Sequence, residues 1–305
     1  MNHVRLTALI AGCMIGAGYT ALWYIPQDSV ALSAASCNEL STEAPSVTAE
    51  AAFVADISTG NILYQKNAEA QLPLASLTKL MTVVTALEAL GPDHEVHITE
   101  AALSPEGDSG LTRGERWSAQ DLAHFSLIES SNDGAHALGL AVVDALGLET
   151  GGFIDTMNRR ARLLGLAQTF FLDDTGLDIS LTTAGAYGSA RDAATLLAHI
   201  AILSPESVER SVMPTWSFVS KSGTVHQAEN TTLLASLYPS AIGSKTGYTD
   251  LAGGNLAFMF EAIPGHPVVI AVLGSTREGR EVDTVRLATF AKNEVLRQAT
   301  CLSLW

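Results

Sequence analysis

The chain has 305 residues, 47% of them hydrophobic and 16% charged, with a net charge of −15. That length and composition suit one large domain or two ordinary ones with a sizeable core, and exclude a disordered chain. All of the net charge falls after residue 36, because Arg5 and Asp28 cancel before it, and so acidic a body argues against nucleic acid as a partner.

In chain order, residues 6–25 form an apolar run without a charge, preceded by Arg5 and followed by Asp28. About 20 such residues can cross a bilayer as a helix, and the positive flank places the N-terminus in the cytoplasm and the body outside it. Residues 1–27 are therefore expected to be a signal peptide or a signal anchor. The length of the run favours the anchor, and the small residues of 31–36 would allow cleavage. Residues 28–47, rich in Ser, Ala, Thr and Pro, read as a linker. The apolar runs 51–57 and 61–65, split by Ser58-Thr59-Gly60, predict a hairpin.

Leu77, Leu80, Met81, Val84, Leu87 and Leu90 recur at helix spacing, so 76–90 is predicted helical, ending at Gly91-Pro92. Residues 96–98 form a short strand candidate, and 100–117 read as loop. A helix starts at Ser118, with Asp121 three residues after the cap. Further helices are expected over 132–145, 152–164, 190–203 and 281–297, and strands over 217–219, 255–260 and 268–273. Strands at both ends with helices between predict an α+β fold, one sheet assembled from N- and C-terminal segments and covered by helices. Of the three cysteines, Cys37 and Cys301 bracket the body, and an oxidising compartment would permit a structural disulfide between them.

Three short stretches carry chemistry. Ser76 stands three residues before Lys79, so a hydroxyl and an amine project from one end and one side of a helix. That is the raw material of an activated serine nucleophile, although a serine there also suits an N-cap. Ser130 and Asn132 sit where one helical run ends and the next begins, a place where capping residues are ordinary. Lys245-Thr246-Gly247-Tyr248 precedes the 255–260 strand and, taken alone, reads as a loop leading into it.

Together, Ser-x-x-Lys, Ser-x-Asn and Lys-Thr-Gly in this order are similar to the signature set of penicillin-binding proteins and class A β-lactamases. Residues 48–295 resemble the low-molecular-weight penicillin-binding proteins of the D-alanyl-D-alanine carboxypeptidase family. The stretches Asp56-x-x-Thr59-Gly60, Ala75–Thr82, Phe171–Leu177 and Gly247–Leu256 extend the likeness. The resemblance implies a DD-peptidase/β-lactamase-like fold with a helical subdomain, one catalytic domain over 48–300, and no second C-terminal domain. It implies an acyl-enzyme on Ser76, with Lys79 as base and Ser130 relaying a proton to the leaving amine. Asn132 would hold the substrate amide, and the Ser76 and Tyr248 N–H groups would form the oxyanion hole. Lys245 and Thr246 would take a terminal carboxylate, and Gly247 would let the substrate backbone approach.

The expected substrate is the D-Ala-D-Ala end of peptidoglycan stem peptides, with β-lactams as covalent inhibitors and no cofactor. The expected location is the cell envelope or periplasm, with attachment through residues 6–25 if they are retained. Two departures, Thr175 in place of a common histidine and the short C-terminal side, look more like members that include D,D-endopeptidases. A β-lactamase is a rival reading, but Glu149, Glu206, Glu209 and Glu229 lie in no Glu-x-x-x-Asn setting. A penicillin-binding sensor that acylates without turnover is another. His94-x-x-His97 lacks the company of a three-ligand metal site, and Trp117, Trp216, Asp173 and Asp174 are read as core and turn residues.

Overall fold

The computed structural model describes residues 43–302, with side chains to Thr300. The signal or anchor segment and Cys37, and with it the Cys37–Cys301 pairing, lie outside the described residues. Among those described, no helix is long and apolar enough to cross a membrane.

The chain enters the fold at Val47, which is buried, and forms the hairpin β1 (Ala51–Asp56) and β2 (Ile62–Lys66). Helix α1 (Thr78–Leu90) follows, then α2 (Ala119–Ile128), α3 (Asn132–Leu146), α4 (Gly152–Leu163) and α5 (Ala190–Leu203). A second hairpin, β3 (Thr215–Val219) and β4 (Val225–Glu229), leads to β5 (Ala241–Thr249), β6 (Gly253–Ile263) and β7 (His266–Ser275). Helix α6 (Gly279–Leu302) closes the chain. The main sheet is antiparallel with the order β5-β6-β7-β1-β2, so the first strands of the chain pair with the last.

Strand periodicity explains why the sheet is covered on both faces. Along β1, β6 and β7, Phe53, Ala257, Met259, Val269 and Ala271 point into a core shared with α1–α5. Val54, Phe258, Phe260, Val268 and Ile270, one residue out of step, point into a second core that includes Leu287 and Ala291 of α6. Asp283 of α6 fixes the N-terminal entry. It accepts from Thr48 N at 2.9 Å, Ala49 N at 2.8 Å, Thr48 Oγ1 at 2.8 Å and Ser275 Oγ at 3.0 Å.

Helix α1 is buried on all sides from Thr78 to Ala86, which makes it the central helix of the covering layer. Serine caps start three of its neighbours. The Ser118, Ser131 and Ser189 hydroxyls accept from the N–H groups of Asp121, Gly134 and Asp192 at the starts of α2, α3 and α5.

Three differences from the sequence expectation bear on the site and the strands around it. Ser76 does not cap α1. It sits in a 3₁₀ turn over Ala75–Leu77, and its side chain makes no capping bond. Residues 243–249, expected as loop, form most of β5, an edge strand whose polar alternation gives no apolar signal. The β4 strand was also not expected; its Val-His-Gln-Ala-Glu sequence buries only His226 and Ala228.

Candidate active site

The site lies where the turn before α1, the start of α3, the loop 172–177 and the edge strand β5 meet. Ala75 adopts a left-handed φ of 49° and opens the 3₁₀ turn. The turn runs directly into α1, where residues three apart lie on one face, and so Ser76 and Lys79 come together. Lys79 Nζ lies 2.9 Å from Ser76 Oγ. It also donates to Asn132 Oδ1 at 2.7 Å and to the Thr175 carbonyl at 2.8 Å.

The lysine is fully buried. Desolvation pulls its pKa from the ordinary 10.5 down to about 7, against the Asp173 and Asp174 carboxylates, which favour the charged form. The three acceptors differ in a way that matters. The Asn132 amide oxygen and the Thr175 carbonyl can only accept, whereas the Ser76 hydroxyl can also donate. A neutral amine has two hydrogens and one lone pair. With the hydrogens on Asn132 and Thr175, the lone pair faces Ser76.

Opposite this group stands Lys245, also buried, whose Nζ donates to Ser130 Oγ at 2.9 Å and to the Thr246 carbonyl at 2.9 Å. Burial holds Lys245 well below the usual lysine range, and the cations of Lys79 and Arg280 add to it. Ser130 occupies a left-handed φ of 62° between α2 and α3, which turns its hydroxyl into the site while Ser131 caps α3. Asn132 is oriented from both ends, because its Nδ2 donates to the Glu106 carbonyl at 2.7 Å.

Gly247 lies against the nucleophile's own backbone. A Cβ there would come within 2.9 Å of the Leu74 carbonyl oxygen and 3.2 Å of Ser76 N. The Thr246 hydroxyl meets that of Thr231 at 2.5 Å. Tyr248 is partly exposed, with the Arg277 guanidinium 4.1 Å from its ring centre. Thus Ser76, Lys79, Ser130, Asn132, Lys245, Thr246, Gly247 and Tyr248 are brought to one place. From it opens a groove of about 670 Å³ lined by Asn132, Glu106, Leu177, Asp178, Tyr248 and Asp250.

Of the other residues singled out in the sequence, the tryptophans and histidines lie elsewhere, and Asp173 shapes the loop beside Lys79. Trp117 is fully buried, with its indole N–H 3.2 Å from Glu115 Oε2, whereas Trp216, expected in the core, is exposed on its hairpin and carries the Arg210 guanidinium at 4.9 Å. His97 pairs with Glu95 at 3.2 Å, and among the described residues no three potential ligands cluster as a metal site would need. Asp173 is a turn residue: its Oδ1 accepts from the N–H groups of Thr175 and Gly176, each at 2.7 Å, and from the Thr175 hydroxyl.

Two participants were not read from the sequence. The Thr175 carbonyl is a backbone atom and has no residue signature. Arg280 of α6 donates to the Gly247 carbonyl at 2.8 Å and to the Thr231 carbonyl at 3.3 Å, and so buttresses β5 from behind. A buried arginine on the sheet-facing side of an amphipathic helix is the signal that could have marked it.

Comparison with known proteins gives a consistent picture. The family described as D-alanyl-D-alanine carboxypeptidase (Peptidase S11) matches residues 38–276. The chain is 29% identical over 296 residues to the D-alanyl-D-alanine carboxypeptidase DacF of Bacillus subtilis, covering 94% of this chain and 70% of the relative. It is 32% identical to DacC of Escherichia coli, covering 72% of this chain but only 54% of that one. It is 28% identical to a D-alanyl-D-alanine endopeptidase of Pseudomonas aeruginosa, covering 83% and 76%. Among solved structures, penicillin-binding protein D2 of Listeria monocytogenes, in a cefotaxime-bound form, superposes with a TM-score of 0.69. It is 31% identical, and the match covers 82% of this chain and 99% of that one.

Proposed function

The chain belongs to the D-alanyl-D-alanine carboxypeptidase family, and from that premise we propose that it is a serine D-Ala-D-Ala carboxypeptidase acting on peptidoglycan stem peptides. The observation that carries this reading is the setting of Lys79: a buried amine with two obligate acceptors and one hydroxyl at 2.9 Å.

In its neutral form Lys79 takes the Ser76 proton as Oγ attacks the carbonyl carbon of the penultimate D-Ala. The Ser76 and Tyr248 N–H groups receive the developing oxyanion. As the C–N bond breaks, Ser130 passes its proton to the leaving amine and is itself reprotonated from the lysine side. Lys245, with Thr246, faces the substrate's terminal carboxylate, whose charge favours the protonated form of that lysine. Gly247 leaves room for the peptide to lie along β5. Water then releases the acyl group from Ser76. β-Lactams enter the same acylation step.

The domain reading places this catalytic unit over 48–300, behind a signal or anchor over 1–27 and a linker over 28–47. The body would then work on the outer side of the cytoplasmic membrane, in the periplasm or cell envelope. A second reading, a D,D-endopeptidase that cuts cross-links, is favoured by one observation: of the three curated relatives above, the chain spans the largest share of the endopeptidase.

Digestion of purified peptidoglycan fragments by residues 37–305 tests both. Free D-Ala released from pentapeptides supports the carboxypeptidase, and loss of cross-linked dimers supports the endopeptidase. Neither product, together with penicillin labelling that survives Ser76→Ala, would overturn the acyl-enzyme reading.

A further inference from the structure

The two obligate acceptors of Lys79 come from different parts of the fold. Asn132 opens α3, and Thr175 belongs to the loop between residues 171 and 178. One side-chain contact ties these two parts together. His136 Nδ1 lies 3.0 Å from Asp174 Oδ2 and 3.1 Å from Oδ1. His136 is one helical turn after Asn132 on the same face of α3. Asp174 directly precedes Thr175. The Asp174 carbonyl is in turn held by Thr82 Oγ1 at 2.6 Å, one turn after Lys79 on α1. The contact is built into the packing, because a Cβ on Gly139 of α3 would fall 2.5 Å from Asp174 Oδ2. The pair is largely shielded, with side-chain exposures of 27% for His136 and 9% for Asp174.

We propose that the His136–Asp174 pair is a positioning device for Lys79, locking the Asn132 amide and the Thr175 carbonyl onto its two hydrogens so that its lone pair stays on Ser76. This rests on the reading of Lys79 as the base. The pair also sets how readily that base loses its proton. Asp174 and Asp173 both favour the charged lysine, and Lys245 stands on the opposite side. The hydrogen bond to Asp174 holds His136 above the usual histidine range, with the Asp173 and Asp133 carboxylates acting the same way. At this point α4 contributes the apolar Phe153. A protonated His136 therefore screens Asp174 from Lys79, and a neutral one exposes it.

The test is the second-order rate of acylation by a fluorescent penicillin, measured from pH 5 to 9 on the full exported chain. Asp174→Asn removes the carboxylate charge and should move the acidic limb of the profile down by roughly half to one pH unit. His136→Asn keeps a donor but loses the cation. It should move the limb up by roughly half a unit, with a plateau within about threefold of wild type. His136→Ala removes the donor as well and should lower the plateau about tenfold or more. A purely structural pair would lower plateaus and leave the limb in place, and that result overturns the proposal. If Asp174→Asn does not fold, the upward shift in His136→Asn decides alone. A wild-type protein that takes up no penicillin on Ser76 would instead bring down the acyl-enzyme reading, and this inference with it.

Discussion

The sharpest prediction concerns Lys79. Burial lowers its pKa from 10.5 to about 7. At pH 7 about half the molecules then carry a neutral amine, against about 0.03% for an ordinary lysine, a gain of about 1,600-fold in competent base. Acylation by a fluorescent penicillin, followed by stopped-flow or gel, should fall about 50-fold from pH 7 to pH 5 and rise only about twofold from pH 7 to pH 9. Lys79→Arg keeps the charge and length but cannot lose its proton. It should acylate about 10²–10⁴-fold more slowly at pH 9, with the gap narrowing toward pH 5 as wild type loses its neutral amine. The same burial has a thermodynamic sign. Between pH 7 and 10.5 the unfolded chain holds a proton at this lysine that the native state has shed, so the destabilisation is full below pH 7 and is relieved as pH rises. Lys79→Met should therefore melt above wild type at pH 6, with the gap closing toward pH 10. A flat acylation profile between pH 5 and 7, or Lys79→Arg within tenfold of wild type at pH 9, would refute this account of the base.

Two further changes probe the frame around the site. Gly176 has a φ of 83°, and a Cβ there would lie 2.0 Å from the Ala75 carbonyl oxygen, beside the nucleophile. Gly176→Ala should cost about 2–4 kcal/mol in urea denaturation, and acylation by penicillin should drop with it. At Asp283, burial raises the pKa, but hydrogen bonds from Thr48, Ala49 and Ser275 more than offset this and leave it below the ordinary 3.8. Its stabilisation is thus present above pH 3.8 and lost as pH falls through the lower folded value. Asp283→Asn should lower the unfolding free energy measured in urea by about 1–3 kcal/mol at pH 7, and by progressively less as the pH falls below 3.8.

Much of this architecture was legible in the sequence because its signals are local. The apolar alternation of residues 51–56 and 255–273, and the helix spacing after Leu77, reflect burial that each segment repeats along its own length. Ser76 with Lys79, Ser130 with Asn132, and Lys245 with Thr246 and Gly247 are each compact enough to read as units. What escaped depends on partners far away in the chain. β5 alternates Gly, Lys, Gly and Thr along an edge that faces a groove, so hydrophobicity could not mark it as a strand. The His136–Asp174 contact joins residues 38 apart, and its value lies in what each neighbours. The Thr175 carbonyl would serve equally from almost any residue type. That Ser76 does not also cap α1 was hidden because a serine before a helix looks the same whether its oxygen meets a backbone N–H or an amine.

The pairing of β1 with β7 couples Ala51 to Leu273 and Phe53 to Ala271, and Thr48 meets Asp283 235 residues later. Contacts this distant in sequence make assembly slow, because a long loop must close before they are rewarded. They also impose an order of events on synthesis. The 3₁₀ turn that bears Ser76 is made first, and the strand bearing Lys245 and the helix bearing Arg280 are made well after it. A growing chain therefore carries a serine and a lysine without the strand that would align a peptide against them. A groove able to align a peptide therefore needs the turn before α1 and strand β5 together, and a chain that stops short of β5 lacks it.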